Sequence, residues 1–175
     1  MHARTNRGNR PAEPFRIVFV CTGNICRSPA AENVFRHFAA REGLADMLEI
    51  DSAGTGGWHE GEAPDRRSQR ALRDRGYPVD GRARALVGAD YARWDLFVCM
   101  DRGHVREVVA EGAPRERVVL LRSFDDARSH DEVPDPYYGG EDGFDDMMTM
   151  IEAAMSGLIA RVRDELARRA TEGDA

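Results

Sequence analysis

The chain has 175 residues, 42% of them hydrophobic, which suits one globular domain with a real core. Its formal net charge is −6 and all 25 of its cationic residues are Arg; an acidic surface argues against nucleic-acid binding, which needs a basic face to neutralise phosphates. The three cysteines, Cys21, Cys26 and Cys99, are too sparse and odd in number for a secreted disulfide framework and point to a reduced, cytoplasmic chain, and no apolar run approaches the ~20 residues of a membrane helix.

Residues 1–14 are polar, with scattered Arg and no apolar stretch, so they predict a disordered leader and no signal peptide. "RIVFV" (16–20) reads as a buried strand. The stretch 28–42 reads as a helix. Ser28 suits its cap, Pro29 its first turn, and Ala31, Val34, Phe35 and Phe38 share one face. A second strand follows at 48–55, then a polar helix over 65–76 closed by Gly76. A short helix at 88–94 leads into a strand at 95–100, a helix at 102–112 and a fourth strand at 117–121. A long polar loop, 123–143, contains "VPDPYYGGEDG", and a loop of that length inside a domain is often functional. The last helix, 144–169, repeats Phe144, Met148, Ile151, Met155, Leu158, Ile159, Val162 and Leu166 at helical spacing, its methionines read as core filler. Residues 171–175 are expected to be a disordered tail, leaving one domain over 15–170.

Strands alternating with helices predict a single-domain α/β fold, a four-stranded parallel sheet with helices on both faces. In such sheets the working site lies beyond the carboxyl ends of the strands. The segment "CTGNICRSP" (21–29) sits at such an end. Curling through Gly23 and Asn24, it can turn successive backbone N–H groups inward as an anion nest, while the following helix adds its positive end. Arg27 supplies a planar fork for two phosphate oxygens. The same field favours a thiolate at Cys21, a nucleophile aimed at phosphorus. An ATP-type loop would need Gly-Lys-Ser/Thr, and the chain has no Lys. The competing reading is a chance Cys-x5-Arg spacing with a small buried cysteine; the preceding strand, the Gly-Asn turn and the Ser-Pro helix start weigh against it.

"VCTGNICRSP" resembles the signature of the low-molecular-weight protein tyrosine phosphatases, and "SAGTGGWHEG", "DYARWDLFVCMD", "LLRSF" and "DPYYGG" resemble that family's later landmarks in the same order, over roughly residues 16–160. The resemblance implies a flavodoxin-like topology and a metal-independent, cofactor-free hydrolase. It implies Cys21 as the nucleophile that becomes phosphocysteine, Arg27 as the phosphate clamp and Asp135 as general acid and then base. It implies a left-handed Asn24 within the cradle of Thr22, Gly23, Ile25 and Cys26, and a Ser28 hydroxyl that donates to the thiolate. Trp58, Tyr137 and Tyr138 match aromatic walls around a slot deep enough for phosphotyrosine and too deep for phosphoserine. Phosphate, sulfate and vanadate are expected ligands of the loop, and phosphotyrosine proteins the partners, without nucleic acid or membrane.

Chemistry alone also asks for a proton donor to a phenoxide leaving group. Asp135, between Pro134 and Pro136, suits that role, yet from the sequence it reads equally as a turn aspartate. Arginine-directed relatives carry Thr where this chain has Ile25, and an apolar Ile suits an aryl ring better than a guanidinium. Two positions depart from the pattern. Gly81 stands where a histidine commonly supports the loop Asn, and Gly103-His104 replaces Ser-Asn after Asp101. Cys26 reads either as a disulfide partner shielding the nucleophile or as a small packed residue. No cysteine follows Cys99, so a thiol relay for arsenate reduction cannot be completed. The histidines His2, His37, His59, His104 and His130 are scattered and predict no metal site. The alternatives are an arginine phosphatase of the same fold and a non-catalytic phosphate-binding or thiol redox module; a pure binder would not need Asp135.

Overall fold

Four parallel strands form the centre of the computed structural model, which describes residues 12–174; most of the expected leader lies outside them. The strands are β1 (Phe15–Cys21), β2 (Leu48–Gly54), β3 (Leu96–Cys99) and β4 (Val118–Leu120), in the order β2-β1-β3-β4. The register places Cys21 beside Gly54 and Val20 beside Cys99, so the ends of the three longest strands converge.

β1 is apolar on both sides because it is covered on both sides. Alternate residues of a strand face opposite ways. Ile17, Phe19 and Cys21 pack with α1 (Arg27–Arg41), α2 (Arg66–Asp74) and α5 (Glu141–Gly173). Val18 and Val20 join Trp94, Phe97, Val108 and Val118, on the face closed by α3 (Asp90–Arg93) and α4 (Arg102–Ala110). The predicted three-layer α/β fold is therefore the observed one, with every expected element present.

Differences fall at element ends. α5 begins at Glu141 and runs to Gly173, so residues 171–173 continue the helix instead of belonging to a disordered tail. The expected loop 123–143 is shortened at both ends, by a 3-10 turn at Leu121–Phe124 and by this early helix start. Met147, Met148 and Met155 are fully buried, as core filler should be. Asp65 caps α2 by accepting from the Arg67 N–H, and Gly76 closes the turn after it with φ 81. Among the described residues no helix is long and apolar enough to cross a membrane.

Candidate active site

β1 delivers Cys21 to the carboxyl edge of the sheet, and the chain curls through residues 22–26 into α1. The curl requires one left-handed residue. Asn24 supplies it at φ 56, the only positive φ on a non-glycine among the described residues. Asparagine tolerates this region better than other side-chain-bearing residues.

The Asn24 side chain then locks the turn. Its Nδ2 donates to Ser28 Oγ at 2.8 Å and to Ser52 Oγ at 2.9 Å, while Oδ1 accepts from the Arg84 N–H at 3.0 Å. Ser52 in turn donates to Glu32 Oε2 at 2.6 Å. Burial raises the Glu32 carboxyl, against the pull of Ser52 and Arg36. Arg84 and the two serines thus support Asn24 where Gly81 leaves no imidazole to do so. At the second strand end, a Cβ on Gly54 would lie 2.6 Å from the Thr22 carbonyl oxygen, so only glycine lets β2 close on the loop.

The loop's carbonyls are occupied from outside. Thr55 N donates to Cys21 O at 2.9 Å, Gly56 N to Thr22 O at 3.0 Å and Asp65 N to Ile25 O at 2.8 Å. Ser68 Oγ donates to Cys26 O at 3.2 Å. A trans peptide sets its N–H opposite its C=O, so the amides of Thr22, Gly23, Cys26 and Arg27 face the loop's interior. The N-terminus of α1 has Cys26 at its cap position and no side-chain cap, which corrects the expectation that Ser28 caps it. That hydroxyl is committed elsewhere, and the helix keeps its free N–H groups for an anion.

Ser28 Oγ lies 2.9 Å from Cys21 Sγ. Ser28 is fully buried and already accepts from Asn24. Its own hydrogen has the sulfur as its acceptor, so Ser28 donates and Cys21 accepts. Arg27, itself buried, donates through Nη1 to Asp101 Oδ2 at 2.9 Å and to Val133 O at 3.1 Å, and through Nη2 to Thr22 Oγ1 at 3.3 Å. Burial alone would raise the Asp101 carboxyl, but His104 and Arg27 outweigh it and hold it below the usual range.

Asp135 Oδ2 stands 3.6 Å from Arg27 Nη2, and its Oδ1 accepts from the Tyr137 N–H at 3.0 Å. The loop carrying Asp135 is pinned to α2 by Arg67, which donates to Tyr137 O at 3.0 Å and lies over the rings of Tyr137 and Phe144. Cys21, Arg27 and Asp135 line one cavity of about 370 Å³. Thr22, Gly23, Ile25 and Cys26 line it as well, with Trp58, Tyr137 and Tyr138 as walls. Trp58 and Tyr138 are mostly solvent-exposed, at 73% and 93%, and so form the rim. A Cβ on Gly56 would fall inside the Trp58 ring, which fixes how closely the rim folds back.

Two expected site residues, Asn24 and Ser28, do not line the cavity; they are buried behind the loop and act on it from below. Three participants went unread in the sequence: His59 on the cavity wall, the Val133 carbonyl on Arg27, and His104 on Thr22. His59 left a signal in its position directly after Trp58, and His104 in the Gly103-His104 departure after Asp101, though neither partner could be read from it.

The family model for "Low molecular weight phosphotyrosine protein phosphatase" matches residues 16–168. The chain belongs to this family. The sequence-based expectation of a phosphoric monoester hydrolase of the tyrosine-phosphatase class is met by that membership. The chain is similar to the low molecular weight protein-tyrosine-phosphatase of Streptomyces coelicolor, with 51% identity over 89% of this chain and 98% of the relative. It is 45% identical to the low molecular weight protein-tyrosine phosphatase A of Mycobacterium tuberculosis, covering 90% of this chain and 97% of the relative. A crystal structure of the protein tyrosine phosphatase of Entamoeba histolytica, with Hepes in its active site, superposes with a TM-score of 0.83 at 36% identity, covering 86% of this chain and 98% of that one. These phosphatases share the whole length of the domain described above, not one motif of it.

Proposed function

We propose that this phosphatase hydrolyses phosphotyrosine in proteins through a phosphocysteine on Cys21. One observation carries the reading: the Cys21 sulfur, the Arg27 guanidinium and the Asp135 carboxyl line a single cavity whose walls are aromatic. The loop amides and Arg27 hold the phosphoryl oxygens, and Arg27 follows them into the transition state, where the charge spreads.

The chemistry runs in two steps. Cys21 thiolate, accepting from Ser28, attacks phosphorus as the P–O bond to the tyrosine breaks. Asp135 gives its proton to the departing phenolate oxygen, releasing tyrosine. The Asp135 carboxylate then takes a proton from water, whose oxygen attacks phosphorus. The P–S bond breaks, phosphate leaves, and the thiolate and the protonated acid are restored.

The aromatic walls of Trp58, Tyr137 and Tyr138 above the loop suit a substrate whose phosphate is carried on a ring, and a short phosphoserine stem fits them less well. Ile25, buried in the cradle, favours an aryl ring over a guanidinium, so phosphoarginine is the disfavoured substrate. Phosphate, sulfate and vanadate would compete for the same loop. All three cysteines are free thiols, which suits a reducing compartment such as the cytoplasm.

The test is turnover of p-nitrophenyl phosphate with EDTA present, beside Cys21→Ser. Activity that survives chelation and disappears in the variant supports the reading. Competing phosphotyrosine, phosphoserine and phosphoarginine peptides then rank the substrates; equal turnover of phosphoserine would overturn the preference for a ring.

A further inference from the structure

His104 sits at the third position of α4, with only 2% of its surface exposed. Its ring closes a reciprocal cap. The Asp101 carboxylate accepts from the His104 N–H at 3.0 Å, and the Asp101 N–H donates to His104 Nδ1 at 3.2 Å. A ring nitrogen that accepts from a backbone N–H carries no proton. The neutral imidazole therefore has its hydrogen on Nε2. Nε2 lies 2.9 Å from Thr22 Oγ1, so His104 donates to Thr22.

Thr22 Oγ1 is also the acceptor for Arg27 Nη2 at 3.3 Å. The same guanidinium is held from its other nitrogen by Asp101, the residue that His104 caps. Two routes thus run from one imidazole to one guanidinium, through a hydroxyl and through a carboxylate. The hydroxyl route sits directly beside Cys21, on a residue that lines the cavity.

We propose that His104 is a positioning residue for Arg27, acting as an Nε2–H donor that fixes the Thr22 hydroxyl as an acceptor for the guanidinium. This rests on Arg27 being the phosphate clamp. Burial supports the arrangement by pushing the imidazole down to about 4, so the single-tautomer neutral form persists through neutral pH. A doubly protonated ring would lose the acceptor at Nδ1 that sets the tautomer. Thr22 Oγ1 thus accepts from both sides, from the imidazole and from the guanidinium.

Two substitutions divide the cap from the strut. His104→Asn places an amide oxygen near Nδ1, keeping the cap to the Asp101 N–H, but cannot reach Thr22. His104→Gln places an N–H donor near Nε2 and can reach it. His104→Asn is expected to lower kcat/KM for p-nitrophenyl phosphate about five- to tenfold, the loss of roughly one net hydrogen bond, and to weaken vanadate inhibition in parallel. His104→Gln is expected to restore most of both. Thr22→Val should reproduce the Asn variant with His104 intact, and adding His104→Asn to it should cost nothing further, because both cut the same link.

Thermal melts accompany each variant. Wild-type constants in His104→Asn or in Thr22→Val overturn the proposal, and so do losses that add in the double variant. Should His104→Asn not fold, the decision falls to Thr22→Val against Thr22→Ser, where recovery of vanadate binding in the serine variant alone supports the strut and equal binding overturns it. Failure of the clamp assignment shows separately, as an Arg27→Ala variant that keeps wild-type vanadate affinity.

Discussion

Asn24 Nδ2 lies 2.8 Å from Ser28 Oγ, and this one contact sets the direction of the next, from Ser28 to Cys21. The amide can only donate there. The serine, accepting it in a site without water access, turns its hydrogen to the sulfur. A buried amide behind the loop thereby decides that the serine hydrogen faces the Cys21 sulfur.

Ser28→Ala removes the donor to the sulfur and leaves Asn24 one acceptor short. A hydrogen bond to a charged group is worth ~1.5–3 kcal/mol, so kcat should fall about 10- to 100-fold. The rate at which iodoacetate alkylates Cys21 at a fixed pH should change with it. An unchanged alkylation rate would mean that the loop amides and α1 hold the sulfur without help.

Asn24→Gly and Asn24→Ala separate backbone from side chain. Both lose the contacts to Ser28, Ser52 and Arg84, but alanine also carries a Cβ into φ 56. Alanine should therefore be the less stable of the two by about 1–2 kcal/mol, measured by urea denaturation. Equal midpoints would show that the loop relaxes out of the left-handed region.

Asp135→Ala should slow turnover of phenyl phosphate about 10²–10⁴-fold, the range for a positioned general acid. The loss should shrink as the leaving group improves toward p-nitrophenolate, because a better leaving group needs less protonation. A loss independent of the leaving group would assign the proton to another residue.

His104 makes stability depend on pH. Burial lowers its imidazole to about 4, with Asp101, Asp135 and Glu132 pulling the other way and Arg27 assisting. Between its ordinary value near 6.5 and 4, the unfolded chain binds a proton that the folded chain refuses. Stability must then fall as pH drops through that window, by about 3 kcal/mol for this group. Below it, the lowered carboxyls of Asp90 and Asp101 add further loss as they protonate. Chemical denaturation of His104→Asn should show a flatter profile between pH 6.5 and 4; a profile parallel to wild type would assign the proton uptake elsewhere.

Cys26 lines the cavity together with Cys21, and burial raises its thiol well above the ordinary value. Peroxide should therefore oxidise Cys21 first, to a sulfenic acid; the Cys26 sulfur then attacks the Cys21 sulfur, expelling water and forming a disulfide, whereas without Cys26 further peroxide carries the sulfenic acid on to an irreversible sulfinic acid. Inactivation by peroxide should reverse with dithiothreitol in the wild type and not in Cys26→Ala. Full recovery of the variant would leave Cys26 as a packed residue only.

The helices and strands were legible because their signals are local. Apolar residues two or four apart mark "RIVFV" and the face of α5, and Gly76 and Asp65 punctuate α2. The exceptions are ends where a local signal was overridden. Ser28 reads as a helix cap, yet its hydroxyl goes to Cys21, a residue seven positions back and across the loop. The start of α5 precedes its first apolar contact by a turn, so periodicity could not mark it.

Alone, then, the sequence determined the layer order, the strand that carries the thiol, and the spacing that brings Cys21 and Arg27 into one loop. What it could not determine lies at contacts between residues far apart in the chain. Asp135 gains its charged neighbour only on folding, which sets it 3.6 Å from a guanidinium 108 positions earlier. His104 became a donor to Thr22 across 82 positions. Patterns of hydrophobicity encode which face of an element is buried, but the direction of a hydrogen bond depends on which donor arrives at the other end, and only packing decides that.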